Sequence, residues 1–336
     1  MKRIFAILLA AGMLFSLTAC GSSSYTADIF AMDTVMKLTA NGANAQAGVE
    51  AAVKEINRLE SQLSNTIASS EISQLNAGGS GTVSEETAQL LSAALTYAQK
   101  TEGAFDMTIA PVVSAWGITT DTPRVPSADE ISALLQLVGS QHITVSGTSV
   151  TLDAGCAIDL GGIAKGYASD RIAAVFAENG VTSGVVSLGG NVYACGMKDK
   201  KTGWRVAIQD PRDSANYAAV VTLSNQFAVT SGGYQRYFTA EDGTVYQHII
   251  DPATGYPVKG DLTSVTIIGT NGTMCDAYST ALYVMGKEKA IAYWASHSDE
   301  FGLVLITTDG QVLYTPDLEG NLESVEGSSY AYQVIG

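Results

Sequence analysis

The chain has 336 residues, and its 18 Lys and Arg residues against 33 Asp and Glu residues give a formal net charge of −15 at pH 7. A surface this acidic argues against nucleic acid or an anionic lipid surface as a partner, so we expect no nucleic-acid partner. A phosphate ligand would need backbone N–H groups, one or two lysines or a metal ion to offset the repulsion.

The N-terminal segment is typical of an exported lipoprotein. Lys2 and Arg3 precede an apolar run over residues 4–17, and the letters LTAC end at Cys20. This pattern predicts a signal peptide over residues 1–19, because the apolar run is too short to span a bilayer comfortably. The LTAC ending resembles a bacterial lipobox, which implies cleavage before Cys20 and lipidation of its thiol. An ordinary signal peptide with a chance cysteine is the alternative. We therefore expect a mature protein anchored by lipid to the cell membrane, on its extracytoplasmic side.

After that cleavage about 317 residues remain, with 16 basic against 33 acidic side chains and a net charge of −17. That length suffices for one large domain or two interlocked lobes. We expect residues 20–27 to form a short polar tether and residues 28–336 to form the domain. Cys156, Cys195 and Cys275 are too widely spaced for a zinc site or a disulfide framework. We expect all three to be buried, with a single disulfide as the alternative.

The elements of the first half follow from hydrophobic spacing and capping residues. They are a strand over residues 30–40, helices over 44–63 and 84–100, a helix from the Ser127 capping box to Gly139, a hairpin over 142–153, and a helix that ends at Gly180. In the second half, strands are predicted over residues 185–188, 204–209, 218–223, 226–230, 263–268, 303–307 and 311–314, and helices over 276–285 and 287–296. Strands and helices do not alternate regularly, which favours an α+β fold over a doubly wound sheet.

The stretch DLGGIAKGYASD, residues 159–170, places glycines and a lysine where a helix begins. A helix start offers unpaired backbone N–H groups and a positive dipole end, and glycines let a large group approach that backbone. Phosphate is the usual ligand of such a site. A tight strand-to-helix turn without a ligand is the alternative.

Asp276 and Thr280 are four residues apart in a predicted helix, so their side chains share one face. A carboxylate and a hydroxyl are hard oxygen ligands that suit Mg²⁺, which usually completes its octahedron with phosphates and waters. The alternative is an Asp at the helix N-terminus with a Thr packed beneath it.

Four further segments each allow two interpretations. His248 is a candidate base or a structural histidine at a strand end, whereas His142 and His297 receive no role. Asp106, among apolar neighbours, either bonds a ligand or caps a nearby turn. The glycine pairs within residues 187–191 and 230–234 either line a cleft or simply turn the chain.

The combined order of these segments resembles the ApbE family of FAD:protein FMN transferases, which are often periplasmic or surface lipoproteins. The motifs that carry the resemblance are AMDT at residues 31–34, AFD at 104–106, DLGGIAKGY at 159–167, HIIDP at 248–252 and DAYSTAL at 276–282. The resemblance extends from about residue 28 to the hairpin near residue 314.

The resemblance implies an α+β fold of two interlocked lobes that hold FAD, the substrate, in a cleft. The positions that match FAD contacts are Met32, Ala104, Phe105, Asp106, Asp159, Lys165 and Ile249, with Ile250 as the alternative to Ile249. It further implies a Mg²⁺ ion bound by the Gly162 carbonyl and by the Asp276 and Thr280 side chains, with His248 as the catalytic base or nucleophile-orienting group.

The implied reaction transfers FMN from FAD to a Ser or Thr hydroxyl of an exported electron-transfer subunit of a membrane redox complex, and it releases AMP. An FAD pyrophosphatase that yields FMN and AMP, and a non-catalytic FAD-binding lipoprotein, are the alternatives.

Two positions depart from the family pattern. Thr66 occupies the position at which the family often has an aromatic flavin contact, so we expect a different affinity or flavin preference. Asp33 replaces the glycine that is usual in the family's M-G-T segment.

Overall fold

A computed structural model of the protein describes residues 24–336. The predicted signal peptide, the lipidation at Cys20 and the start of the tether lie outside the described residues. None of the helices between Ser24 and Gly336 is long and apolar enough to cross a membrane.

The described chain forms strands and helices in irregular succession. The strands are β1 (Ser24–Ala31), β2 (Thr34–Asn41), β3 (Ser80–Thr82), β4 (Ile143–Ser146), β5 (Ser149–Leu152), β6 (Ser183–Leu188), β7 (Asn191–Gly196), β8 (Trp204–Asp210), β9 (Asp213–Leu223), β10 (Gln226–Gly232), β11 (Tyr237–Thr239), β12 (Val245–Gln247), β13 (Leu262–Gly269), β14 (Gly302–Thr307), β15 (Gln311–Tyr314), β16 (Leu322–Ser324) and β17 (Ala331–Val334). The helices are α1 (Ala45–Leu63), α2 (Glu71–Gly78), α3 (Glu85–Lys100), α4 (Ala110–Trp116), α5 (Ala128–Leu135), α6 (Ala164–Glu178), α7 (Gly272–Met285) and α8 (Lys287–Ala295). Short 3₁₀ turns span Met107–Ile109, Ser140–His142 and Pro316–Leu318.

A nine-stranded sheet with the order β1-β2-β6-β7-β10-β13-β14-β15-β17 forms the centre of the fold. Its neighbouring strands are antiparallel except for β15 and β17. One face packs against α1, α6 and α7 in the main hydrophobic core. The other face packs against the three-stranded sheet β16-β9-β8 through a second apolar cluster. This mixed architecture confirms the predicted α+β class.

Helices α6 and α7 approach each other through glycines. A Cβ built on Gly166 would lie 2.2 Å from the carbonyl oxygen of Gly272. In addition, Asp170 of α6 accepts hydrogen bonds from the backbone N–H groups of Gly272, at 2.7 Å, and of Thr273, at 2.8 Å. These contacts bind the N-terminus of α7 to α6, and both helices carry residues predicted to act in the site.

The predicted strand over residues 30–40 is wrong in one respect, because the chain turns within it. Met32 and Asp33 both have positive φ, +46° and +56°, and form the two-residue turn of the β1–β2 hairpin. The prediction that Gly139 closes a helix is also wrong, since α5 ends at Leu135. Strand β7, directly after Gly189-Gly190, is absent from the sequence-based prediction.

Most other predicted elements are confirmed within a few residues. Ser84 and Ser127 cap α3 and α5 by accepting hydrogen bonds from the third residue after each. The hairpin of β4 and β5 turns after Ser146, as predicted. The three cysteines of the described chain are buried and free, so no disulfide joins them.

Candidate active site

A cavity of about 690 Å³ collects residues from segments far apart in the chain. Its lining includes every residue within the described chain that the sequence assigned to the site: Met32, Ala104, Phe105, Asp106, Asp159, Gly162, Lys165, His248, Ile249, Asp276 and Thr280. The two departures from the family pattern, Asp33 and Thr66, line the same cavity.

The start of α6 holds the Asp276 carboxylate in place. The backbone N–H of Gly166 donates a hydrogen bond of 2.7 Å to Asp276 Oδ2, and Asp276 is only 3% exposed. Gly166 is required here because a Cβ at this position would lie 2.5 Å from Asp276 Cβ. The helix start therefore binds an anionic side chain of the protein itself, a use that neither sequence-based alternative, a phosphate ligand or a turn without a ligand, had included.

Asp276 is not the N-terminal cap of its own helix, so the alternative that placed it at the helix N-terminus is wrong. The cap of α7 is Asn271, whose side chain accepts a hydrogen bond of 2.8 Å from the Met274 N–H. Asp276 lies one turn further on, inside the helix and against the cavity. A buried carboxylate at this depth requires polar or cationic partners.

Thr280 and Gly162 are neighbours in the wall of the cavity. A Cβ built on Gly162 would lie 3.4 Å from Thr280 Oγ1. Ser231 of β10 extends this polar wall, since its Oγ lies 3.2 Å from Thr280 Oγ1 and 2.8 Å from Ser279 Oγ. The bend at Gly162 and the Asp276–Thr280 face of α7 thus belong to one site.

Asp159 and Lys165 shape the loop before α6. Asp159 Oδ1 accepts a 2.7 Å hydrogen bond from the Gly161 N–H, and burial raises the pKa of this carboxyl group. Lys165 Nζ donates to the Gly161 carbonyl oxygen over 3.4 Å, a long contact that leaves the ammonium free to bond other groups. Lys165 is thus a cation in the wall of a cavity that several carboxylates also line.

His248 has one ring nitrogen fixed by the backbone. Its Nδ1 lies 3.2 Å from the carbonyl oxygen of Arg236, which can only accept, so Nδ1 carries the proton of the neutral ring. Nε2 then keeps its lone pair. Burial, together with the nearby positive charges of Lys165 and Arg236, lowers the pKa of His248 to about 4. The ring is therefore neutral at physiological pH and able to accept a proton.

Asp106 caps a turn and also lines the cavity. Its Oδ1 accepts hydrogen bonds from the backbone N–H and the hydroxyl of Thr108, at 2.8 and 2.6 Å, at the start of a 3₁₀ turn. Burial raises the pKa of the carboxyl group. The predicted capping role is confirmed, and the predicted contact with a ligand stays a prediction.

Several residues of the cavity wall escaped the sequence-based prediction of individual site residues. Asp33 and Arg236 form an ion pair in which Nη1 lies 2.7 Å from Oδ2. Asn191 and Ser231 come from the two glycine-pair segments, both of which line the cavity. For these segments, the glycine pairs themselves were the only signal in the sequence.

The family of the chain follows from comparison with known proteins. The family model described as "ApbE family" matches residues 32–305. The chain belongs to the ApbE family. This assignment confirms the resemblance on which the candidate site was chosen.

Curated relatives of this ApbE-family chain from several bacteria carry the name "FAD:protein FMN transferase". The relative from Escherichia coli K12 is 37% identical over 216 residues, which are 62% of this chain and 61% of the relative. The chain thus spans about three fifths of that relative's length. The relative from Treponema pallidum is 33% identical over 302 residues, 82% of this chain and 83% of the relative.

Comparison with solved structures also points to the ApbE family. The ApbE protein from Thermotoga maritima has a TM-score of 0.84 at 32% identity and covers 89% of this chain and 99% of its own. The flavin transferase ApbE from Vibrio cholerae has a TM-score of 0.76 at 26% identity and covers 85% of this chain and 94% of its own. These similarities confirm the fold predicted for this ApbE-family member.

Proposed function

We propose that this protein transfers FMN from FAD to a Ser or Thr hydroxyl of an exported electron-transfer subunit, depends on Mg²⁺ and releases AMP. The observation that carries the proposal is the convergence of all eleven assigned residues of the described chain on one cavity. They come from five separate segments of the sequence, and a cavity of about 690 Å³ is of the size that holds cofactor-sized ligands. The shared name of the curated relatives supports the same activity.

The oxygen groups at the α6–α7 junction fit a magnesium ion. Asp276 provides a carboxylate, Thr280 a hydroxyl and Gly162 a backbone carbonyl, which are hard ligands of the kind Mg²⁺ prefers. Within residues 24–336, no three His, Cys, Asp or Glu side chains cluster around a metal position. This donor set suits an ion that takes its remaining ligands from phosphates and water. When bound, Mg²⁺ would neutralise negative charge on the pyrophosphate oxygens of FAD.

Side chains of the protein itself would accept the proton of the nucleophile and place a positive charge beside the phosphates. His248 Nε2 accepts the proton of the acceptor hydroxyl, whose oxygen forms a bond to the phosphorus of the FMN half. The bond from that phosphorus to the bridging oxygen breaks, and AMP leaves with the electron pair. Lys165 supplies a positive charge beside the reacting phosphates. The product is a protein with FMN in phosphoester linkage.

The test is an incubation of the mature protein with FAD, Mg²⁺ and a candidate acceptor, read by mass spectrometry of the acceptor. An added FMN group supports the proposal. The Asp276→Asn variant keeps an oxygen that can accept from Gly166 but lacks the charge, and it should lose transfer. Asp213→Asn, at an exposed position outside the cavity, is the matched control.

Three other outcomes would distinguish the proposed transferase from an FAD pyrophosphatase and from a non-catalytic FAD-binding protein. Free FMN and AMP released at a rate that acceptor protein does not change would indicate a pyrophosphatase. Tight FAD binding that survives EDTA without turnover would indicate a binding protein. Full activity of Asp276→Asn would contradict both enzymatic functions.

We also propose that a lipid on Cys20 anchors the mature protein to the extracytoplasmic face of the membrane, near its acceptor complex. The support is the sequence pattern before Cys20. An inhibitor of the lipoprotein signal peptidase should leave an unprocessed precursor, and Cys20→Ser should have the same effect. Normal processing in either case would contradict the anchor.

A further inference from the structure

Asn191 carries a buried amide for which the described chain offers no partner. The residue is 1% exposed, and its Nδ2 has no hydrogen-bond partner among the described residues. Leaving a buried donor unpaired costs about 1–3 kcal/mol. A cost of this size at a single position calls for an explanation such as an absent ligand.

The strand pairing places this side chain in the cavity beside the polar wall. Asn191 lies opposite Val229 of β10, so the two side chains share one face of the sheet. Ser231, two residues further along β10, is on that same face, and its hydroxyl lies 3.2 Å from Thr280 Oγ1. Asn191 and Ser231 are therefore diagonal neighbours, and both line the cavity.

The backbone fixes this arrangement. The Thr230 N–H donates a 3.1 Å hydrogen bond to the carbonyl oxygen of Gly190, which locks the start of β7 against β10. On the same face Tyr193 stacks on Phe227 with ring centroids 4.7 Å apart, which limits movement of β7. These contacts hold the backbone of Asn191 at the cavity wall.

A neutral N–H donor next to Ser231, whose hydroxyl contacts Thr280, suits an anionic oxygen. We propose that Asn191 is a substrate-contacting residue whose Nδ2 donates a hydrogen bond to a phosphate oxygen of the dinucleotide pyrophosphate. This inference rests on the proposed function. No group of the described chain accepts a hydrogen bond from this amide, so its donor is available to a phosphate that enters the cavity. Hydrogen bonds from neutral donors to charged acceptors are stronger than neutral ones, so the residue favours phosphate-containing ligands.

Two variants test the inference, Asn191→Leu, which keeps the branched shape and the number of heavy atoms, and Asn191→Ala. Dissociation constants for FAD and for riboflavin, which has no phosphate, are measured at one fixed Mg²⁺ concentration. We expect both variants to bind FAD at least about tenfold more weakly and to bind riboflavin as the wild type does. We expect Asn191→Leu to have an unchanged or raised thermal midpoint without ligand, because it removes an unpaired buried polar group.

Ser264→Ala is the matched control. Ser264 is also fully buried with an unpaired hydroxyl, but it lies on the opposite face of the sheet and does not line the cavity. This variant should leave FAD binding unchanged.

The outcomes separate this inference from the proposed function. Unchanged FAD affinity in both Asn191 variants would overturn the inference and leave the proposed function standing. An equal loss of riboflavin and FAD affinity would also overturn it, because the contact would then be with the flavin ring. A wild-type protein that does not bind FAD would overturn the proposed function and this inference together.

Discussion

The carboxylate of Asp33 and the guanidinium of Arg236 form an ion pair at the exposed rim of the cavity. Arg236 Nη1 lies 2.7 Å from Asp33 Oδ2, and Nη2 also donates to the Asp33 carbonyl oxygen. The pair gives a physical reason for Asp33, which departs from the glycine that the family resemblance predicts at this position. Asp33 has φ +56°, a conformation that glycine adopts freely and Asp tolerates, and the ion pair offsets part of its cost.

The ion pair also neutralises the positive charge of Arg236, which could otherwise attract FAD. In Asp33→Asn the carboxylate charge is lost, so Arg236 is free to interact with the incoming pyrophosphate, and we expect tighter FAD binding at low salt. Stability should change by less than about 1 kcal/mol, because the pair is exposed. The measurement is the FAD dissociation constant at two salt concentrations.

Glu323→Gln is the matched control for this change, since it breaks the Arg205–Glu323 pair of 2.6 Å, also exposed and outside the cavity. It should leave FAD binding unchanged. Weaker FAD binding in Asp33→Asn would show that the carboxylate assists the substrate rather than competing with it.

Gly166 should not tolerate a side chain. The Cβ of Gly166→Ala would lie 2.2 Å from the Gly272 carbonyl oxygen, so α6 and α7 would have to separate. We expect a loss of stability of about 1–3 kcal/mol or more, as in other overpacked contacts, and a larger loss of kcat/KM because the Asp276 carboxylate moves with α7. Thermal unfolding and FMN transfer check the two parts.

Gly78→Ala is the control for an added methyl group in a helix. Nothing lies within 4 Å of a Cβ at Gly78, so this variant should be neutral or more stable by up to about 1 kcal/mol. Equal activity of Gly166→Ala and the wild type would contradict the close α6–α7 contact.

The sequence predicts those parts of the fold that depend on local signals. Helices α3 and α5 begin at Ser84 and Ser127, whose hydroxyls accept the expected backbone N–H groups. The family motifs, read in order, identified eleven cavity residues of the described chain because each motif keeps its own local pattern. The family resemblance thus located the site without any knowledge of its geometry, whereas each local signal alone had left an alternative open.

Features that depend on distant partners could not be predicted in this way. The turn at Met32-Asp33 has none of the Asn-Gly or Asp-Gly pairs that mark such hairpins, so a single strand was predicted there. Asp33 and Arg236 are 203 positions apart, and no local pattern links them. The unpaired amide of Asn191 becomes visible only when the neighbours of every polar atom are known.

Asp170 should contribute to stability by holding the start of α7. It accepts hydrogen bonds from the Gly272 N–H, the Thr273 N–H and the Thr273 hydroxyl, and burial raises the pKa of its carboxyl group. Asp170→Ala leaves these donors unpaired, and we expect a loss of about 2–4 kcal/mol in the free energy of unfolding. Chemical denaturation measures it.

Asp199→Ala removes a similar set of three hydrogen bonds, from Lys201 and Thr202, in an exposed loop. Water can replace the lost partner there, so the effect should be much smaller than at Asp170. Equal losses in the two variants would contradict the importance of burial at Asp170.

His248 should set the acid limit of activity. The proposed base must be neutral, and burial lowers its pKa to about 4 in the folded protein, so kcat/KM should stay constant as pH falls from neutrality and decline only as pH approaches about 4. In His248→Gln the rate should fall by about 10²–10⁴-fold, and this acid limb should disappear. Circular dichroism at each pH shows whether the protein is still folded. An acid limb centred at the ordinary histidine pKa of 6.5 would contradict the buried, neutral ring, and an unchanged limb in His248→Gln would assign the titration to another group.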